Sequence, residues 1–447
     1  MEKSFKIAFV SNYINHHQIP FCNAMNRILG GKFLFIQTEP MEEQRIRMGW
    51  HEEERPEYVR CYYEEADFCR EQILDCDVVL FGGTDDESYI TERLESGRPV
   101  IRVSERLYKT GQWKAVSPRG LRKKYHDHTR YRKGPVYLLC AGAYVASDFH
   151  IVRAYPGKMF CWGYFPETRQ YDIEQLLSGK GYGEKGIAYL LWAARMIDWK
   201  HPELALETAR HLKEKGLAFH LDMIGDGILK PQMEALAQRY GLDREVAFLG
   251  YQSPEAVRRQ MEQADIYLFT SDRQEGWGAV ANEAMNSGCA LVADHMIGAV
   301  PYLVQDGENG MIYRDGKAEE LFRCAERLVG DRALCRSLGR KAYETIVEVW
   351  NAENAARRLM KLIHSVVLPG PGAEGEAEED GAAGEKGGPG EKDAPGTKDT
   401  AGEKGATEEK GAEGKKDAER NTADYHGVAP CAPCDPARVI SERYRRA

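Results

Sequence analysis

Two parallel sheets, each covered by helices, are what this sequence predicts, and three observations lead there. Apolar runs of strand length recur along the chain with helical segments between them, an alternation that favours parallel sheets buried on both faces. The runs close on polar or glycine-bearing loops, as strand-to-helix turns do. At 447 residues the chain has room for two domains with sizeable cores and a tail. The expected division is a first domain at 1–165, a linker at 166–185, a second domain at 186–348, a further helix at 349–368 and a disordered tail at 369–447.

The first strand is expected at residues 5–10, followed by the loop 11–18 and a helix entered through Ile19-Pro20, since proline is well tolerated in a first helical turn. Further strands are expected at 33–37, 78–81, 100–103 and 136–140. Ligands of such sheets gather beyond the carboxyl ends of the strands. His16, His17 and Asn15 should therefore face a cleft, and histidine can serve as acid or base near neutral pH; the plainer reading is a pair of loop histidines. Gly82-Gly83-Thr84-Asp85 and Ser104-Glu105-Arg106 are two more loops of this kind. For Glu105 a structural ion pair with Arg106 is expected.

In the second half, strands are expected at 218–224, ending in Gly225-Asp226-Gly227, and at 246–250, 264–270 and 289–293. The run from Glu275 to Pro301, EGWGAVANEAMNSGCALVADHMIGAVP, is the most informative in the chain. Its glycines, Gly276 and Gly278, are read as letting backbone N–H groups approach an anion, and the helix expected from about Ala279 (with Val280 and Ala281 in its first turn) offers unpaired N–H groups and the positive end of its dipole. Glu275 and Glu283 can flank one ligand there. Asp226 reads as a turn residue, while Asp294 and His295 stand between loop and site.

Six ordered motifs now carry a resemblance: Ala194-Arg195-Met196-Ile197-Asp198-Trp199-Lys200, Ile224-Gly225-Asp226-Gly227, Phe248-Leu249-Gly250-Tyr251, Glu275-Gly276-Trp277-Gly278, Asn282-Glu283-Ala284-Met285 and Asp306-Gly307-Glu308-Asn309-Gly310. In order and spacing, residues 189–313 resemble the donor-binding half of the retaining glycosyltransferases of family four. The resemblance implies the GT-B architecture, two Rossmann-like domains facing an interdomain cleft, with the last helix crossing back onto the first domain. It implies that Arg195 and Lys200 grip the diphosphate of a UDP- or GDP-sugar, that Glu275 contacts the donor sugar, and that Glu283 contacts the ribose. The donor-binding set is thus Arg195, Lys200, Gly225, Gly276, Trp277, Gly278, Ala279, Val280 and Glu283, with Glu275, His16 and His17 as catalytic candidates. His201, Ala290 and Tyr302 depart from residues usual in that family, which bears on the choice of donor.

The activity implied is transfer of a hexose to an acceptor hydroxyl with retention, in capsule, exopolysaccharide or glycolipid synthesis. A sugar-nucleotide epimerase of the same architecture and a non-catalytic sugar-nucleotide-binding scaffold are the alternatives. No metal or other cofactor is expected, because relatives of this architecture usually need none.

Between residues 102 and 133 eleven Lys or Arg face only Glu105 and Asp127, a local charge of plus nine on a chain of net charge −9. Tyr108, Trp113, Tyr125 and Tyr131 are interleaved with these cations. The mixture suits an anionic membrane surface or a lipid-linked glycan acceptor better than nucleic acid. No apolar run is long enough to span a bilayer, and Met1-Glu2-Lys3 leads straight into a strand. The expected location is therefore cytoplasmic, peripheral on the inner membrane leaflet. Eleven scattered cysteines, with one close pair at Cys431 and Cys434, suggest reduced thiols. From 369 to 422 the chain is Gly, Glu, Lys, Ala and Asp, with lysines every six residues from Lys386 to Lys416. Too little there is apolar to fold, and acids at 378, 393, 399, 408 and 417 break the three-residue glycine frame that a collagen helix needs.

Overall fold

The computed structural model describes residues 5–369, with 44–45, 47–54, 113–114, 116, 184–186 and 315 excepted. The tail from 370 onward, Trp113, Lys114, Glu184, Cys431 and Cys434 lie outside the described residues. Among those described, the chain forms two sheets with every pair parallel.

The first sheet comprises β1 (Ile7–Ser11), β2 (Phe33–Gln37), β3 (Val59–Cys61), β4 (Val78–Phe81), β5 (Val100–Ser104), β6 (Val136–Ala141) and β7 (Met159–Trp162) in the order β3-β2-β1-β4-β5-β6-β7. The second comprises β8 (Ala188–Ala193), β9 (Phe219–Ile224), β10 (Val246–Gly250), β11 (Ile266–Phe269), β12 (Ala290–Asp294) and β13 (Met311–Tyr313) in the order β10-β9-β8-β11-β12-β13. Both are doubly wound. In each the chain reverses direction between its first and fourth strands, β1/β4 and β8/β11, with Ile7 beside Val78 and Ile266 beside Leu190. A crevice opens at such a switch point beyond the strand ends. The strands are apolar on both faces because helices cover both: β1, β4, β6 and β9 are buried along their whole length.

Four of these strands are absent from the sequence reading. β3 and β13 are three residues long, too short for a periodic signal, and β7 carries only Met-Phe-Cys-Trp between glycines. β8 is a six-residue apolar run next to the Arg195 motif.

Helix Ala352–Leu362 crosses back onto the first half: Arg27 pairs with Glu353, Tyr137 Oη donates to the Val366 carbonyl at 3.2 Å, and Phe5 meets His364 edge-on. Leu359, Leu362 and Ile363 are its buried face, as their spacing suggests.

The linker is pinned to the second half. The Arg169 N–H donates to Asn286 Oδ1 at 2.8 Å and Asn286 Nδ2 returns a bond to the Arg169 carbonyl at 3.0 Å. The buried Lys180 ammonium donates to the carbonyls of Met261, Glu262 and Ala264 at 2.9, 3.2 and 2.6 Å, satisfying the end of helix Pro254–Gln263.

A second buried cation organises the amino-terminal ends of two central strands of the first sheet. Arg93 has no exposed surface and donates to the carbonyls of Ile73, Leu74, Cys76, Asp77 and Pro99 at 2.7–3.2 Å. It thereby ties the end of helix Ala66–Asp75 to the starts of β4 and β5. The nine described cysteines are all free, and seven are buried.

Candidate active site at the cleft between the sheets

Arg195 and Lys200 lie on the loop after β8, and Glu275 on the loop after β11, so the two segments flank the switch point of the second sheet. Lys200 Nζ pairs directly with Glu275 Oε2, and both side chains are nearly buried, at 12% and 13% exposure. Burial pushes the ammonium pKa down, and the Glu275 carboxylate opposes that shift. The Trp199 ring centroid lies 4.3 Å from Lys200 Nζ and 5.9 Å from the Arg195 guanidinium carbon, so one aromatic ring attracts both cations. Gly225 brings the β9 loop against the β8 loop: at φ +130 a side chain there would be strained and would overlap the Ala194 carbonyl.

Gly276 and Gly278 are also packed against the protein itself. A methyl on Gly276 would overlap the Glu105 carboxylate, and one on Gly278 (φ +91) would overlap the Phe269 ring. Gly278 is therefore required by its backbone and by Phe269, while a side chain at Gly276 would have to displace the Glu105 carboxylate. Trp277 is likewise a core residue. It is fully buried, its Nε1 donates to Asn282 Oδ1 at 2.9 Å, and its ring lies over Gly163. Only its backbone is left to reach a ligand. The helix begins at Val280 with Ala279 as its cap residue and is seven residues long. Its dipole is correspondingly modest.

Glu283 is half-buried on this helix. Burial raises its carboxyl pKa, against the lowering influence of Arg258 and Arg169. It lies beside His16 and His17 across the cleft, with ligand atoms of the three residues within 4.8 Å of one another. The His16 and His17 rings are 3.9 Å apart between centroids. Burial and the neighbouring His16 lower the His17 pKa to about 3.

The expected Glu105–Arg106 pair does not form. Arg106 turns instead to the buried Asp148, at 3.4 Å. Glu105 is paired with Lys109 and accepts from Tyr164 Oη at 2.6 Å. Burial, Glu105 and Glu275 all hold the Tyr164 phenol well above its usual pKa. Glu105 thus stands across the cleft from the Glu275–Gly276 turn, a proximity that neighbouring residues in the sequence could not reveal. The halves also meet through backbone: Ala143 N donates to the Gly298 carbonyl at 2.9 Å, and Tyr144 Oη to the His295 carbonyl at 2.7 Å. Asp294 is occupied by the N–H groups of Met296 and Gly316, which makes it a loop brace.

A cavity of about 1080 Å³ runs from these residues into the first half. Asn12, His17, Asp85, Glu105, Lys124 and Tyr164 line it together with Glu275, Gly278 and Ala279. His128 lies on its wall, 8% exposed, with Nδ1 2.8 Å from Tyr155 Oη. Burial, helped by Arg102, Lys124 and Lys123, holds its imidazole well below the usual pKa. The unfolded chain therefore binds a proton there that the folded chain refuses once pH falls below about 6.5. His128→Gln is expected to reduce the acid loss of stability between pH 6.5 and 5 by up to about 1.4 kcal/mol per pH unit. Urea midpoints of both proteins across that range are the check, and parallel pH curves would refute the assignment.

The basic segment is more compensated than its composition suggests. Arg102 is buried in a bidentate pair with Glu87, Arg106 pairs with Asp148, Lys109 with Glu105 and Lys123 with Asp127, while Tyr108 is buried in the core. What remains outward is the helix Pro118–Asp127, with Leu121 and Tyr125 exposed beside Arg119 and Arg122, and the exposed Arg130, Arg132 and Lys133 after it.

Fold and site together define a two-sheet α/β protein whose cleft joins the switch points of both sheets. Residues 181–345 match the family model for Glycosyl transferases group 1. The amylovoran biosynthesis glycosyltransferase AmsK of Erwinia amylovora is 27% identical over 179 residues, 39% of this chain and 44% of that protein. The alpha-D-kanosaminyltransferase of Streptomyces kanamyceticus is 28% identical over 187 residues, 42% of this chain and 48% of that protein. The chain thus spans about half the length of the curated relatives it matches. Among solved structures, Anabaena Alr3699/HepE in complex with UDP aligns at TM-score 0.58 and 14% identity, covering 80% of this chain and 99% of that one. That likeness is one of fold and establishes the GT-B architecture. Among the described residues no helix is long and apolar enough to cross a membrane.

Proposed function

We propose that the chain is a retaining glycosyltransferase that moves a hexose from a nucleotide diphosphate sugar to an acceptor hydroxyl in surface or exported polysaccharide synthesis. The observation that carries this reading is the pair of cations, Arg195 and Lys200, gathered on Trp199 at the switch point with Lys200 held on Glu275. In the reaction the bond from the anomeric carbon to the β-phosphate oxygen breaks, and a bond from that carbon to the acceptor oxygen forms on the same face. The acceptor proton leaves on the departing phosphate, whose growing negative charge Arg195 and Lys200 stabilise. His17, neutral and weakly basic, is poorly suited to take that proton. Because two cations already serve the diphosphate, the transfer needs no metal.

Gly225, Gly276, Gly278, Ala279 and Val280 shape the donor side, Glu275 meets the sugar and Glu283 the ribose; Glu105 and Tyr164 border the acceptor side. The relatives named for amylovoran and kanosaminyl transfer support the reaction class. UDP-glucose is the first donor to try, since UDP occupies the Anabaena fold neighbour. The exposed Leu121 and Tyr125 among cations suit the headgroups of an anionic leaflet, where a lipid-linked acceptor would be presented.

The test incubates the full chain with UDP- and GDP-sugars, with and without a lipid-linked saccharide acceptor, and follows nucleotide release and the anomeric configuration of the product. Acceptor-dependent release with retained configuration is expected. Conversion of the donor without acceptor would replace this reading by an epimerase, and nucleotide binding without any turnover by a scaffold.

A further inference from the structure

We infer that His16, His17 and Glu283 form a site for one divalent transition-metal ion that clasps the two halves of the molecule together. The ligands come from opposite sides of the cleft. His16 and His17 sit on the turn between β1 and helix Ile19–Ile28, and Glu283 on helix Val280–Asn286 of the second half. One ligand atom from each lies within 4.8 Å of the other two. In a four-coordinate zinc site, bonds of about 2.0–2.2 Å put ligand atoms roughly 3.4 Å apart. Small side-chain rotations close the difference.

The turn is already built for this. Asn15 Oδ1 accepts the His17 N–H at 3.0 Å, and the Asn15 carbonyl accepts those of Gln18 and Ile19 at 2.8 and 3.1 Å. The two imidazoles are gathered at 3.9 Å between centroids. Two imidazoles and one carboxylate leave one position of a tetrahedron for water, and the set suits zinc or cobalt, whereas magnesium and calcium favour oxygen alone. The site shares the cleft with the Lys200–Glu275 pair, His17 and Glu275 lining one cavity, and it uses none of the atoms of that pair. A carboxylate has two oxygens, so Glu283 can hold the ion with one and a ribose hydroxyl with the other.

The experiment uses the full chain freed of metal with a chelator and then titrated with Co2+ and with Zn2+. Eleven cysteines could also take such ions, so variants decide the site. One equivalent of Co2+ should bind, with the visible spectrum of nitrogen and oxygen ligands and no thiolate charge-transfer band. His17→Ala and, independently from the other half, Glu283→Gln should each weaken it by more than the roughly 100-fold that loss of an outer-shell partner costs. Bound Zn2+ should slow hydrogen exchange in both 12–18 and 280–286. Absence of binding at micromolar metal, or binding that both variants leave intact, overturns the site. Exchange slowed on one side only overturns the clasp. UDP binding by the metal-free wild-type chain and by His17→Ala separates either failure from a failure of the donor site, since Glu283 also serves the ribose in the proposed function.

Discussion

Lys200→Ala is expected to lower kcat/KM for the nucleotide-sugar donor by about 10²- to 10³-fold, the loss typical of removing one donor aimed at developing negative charge. The same change should abolish thermal stabilisation by UDP. The reason lies in the ion pair: Lys200 is nearly buried against Glu275, with Arg195 beside it over Trp199. Removing the ammonium leaves the Glu275 carboxylate half-compensated where a diphosphate must come. Glu275→Gln separates binding from chemistry. With the carboxylate neutralised, Lys200 is released to the incoming phosphates, so UDP affinity should hold or rise while turnover falls. A Glu275→Gln protein that lost UDP binding in step with Lys200→Ala would show that the pair acts as one structural unit and that the phosphate contact is elsewhere.

Arg93→Ala should cost about 3–5 kcal/mol of stability, in the range for breaking a buried charged network. Arg93 serves five carbonyls at once and is fully buried. The truncation would orphan those acceptors and open a cavity at the starts of β4 and β5, each penalty adding to the other. Denaturant midpoints with unchanged slope are the measurement. Arg93→Lys, which keeps the charge but not the planar fork, should recover only part of the loss. A fall below about 1 kcal/mol for Arg93→Ala would mean that water replaces the guanidinium at little expense.

The alternation of strand and helix was legible because fully buried parallel strands leave long apolar runs, and nine of the thirteen strands appear in the sequence within a residue or two. The three-residue strands β3 and β13 carry too few residues for any period to emerge, and the reach of Arg106 to Asp148, forty-two positions away, has no local trace. In the site, the motifs located the Arg195, Lys200 and Glu275 segments, and the fold brings Lys200 and Glu275 into contact. The packing of Gly276 and Trp277 had no local trace for one physical reason: each faces the other half of the molecule, Gly276 the Glu105 carboxylate and the Trp277 ring the backbone at Gly163. The basic segment was overestimated because a count of cations does not know which carboxylates, Glu87 and Asp148 among them, the fold will supply.

The burial of the cysteines makes the molecule a timer of its own opening. Thiolates, not thiols, react with alkylating agents, and burial pushes the Cys69 and Cys335 pKa values to about 12 and that of Cys22 higher still. Cys22 is on the buried face of helix Ile19–Ile28, against which helix Ala352–Leu362 packs, whereas Cys335 lies in the second half. Pulsed labelling followed by mass spectrometry would therefore record, residue by residue, which half loosens first when the protein is warmed, without any probe having to be introduced.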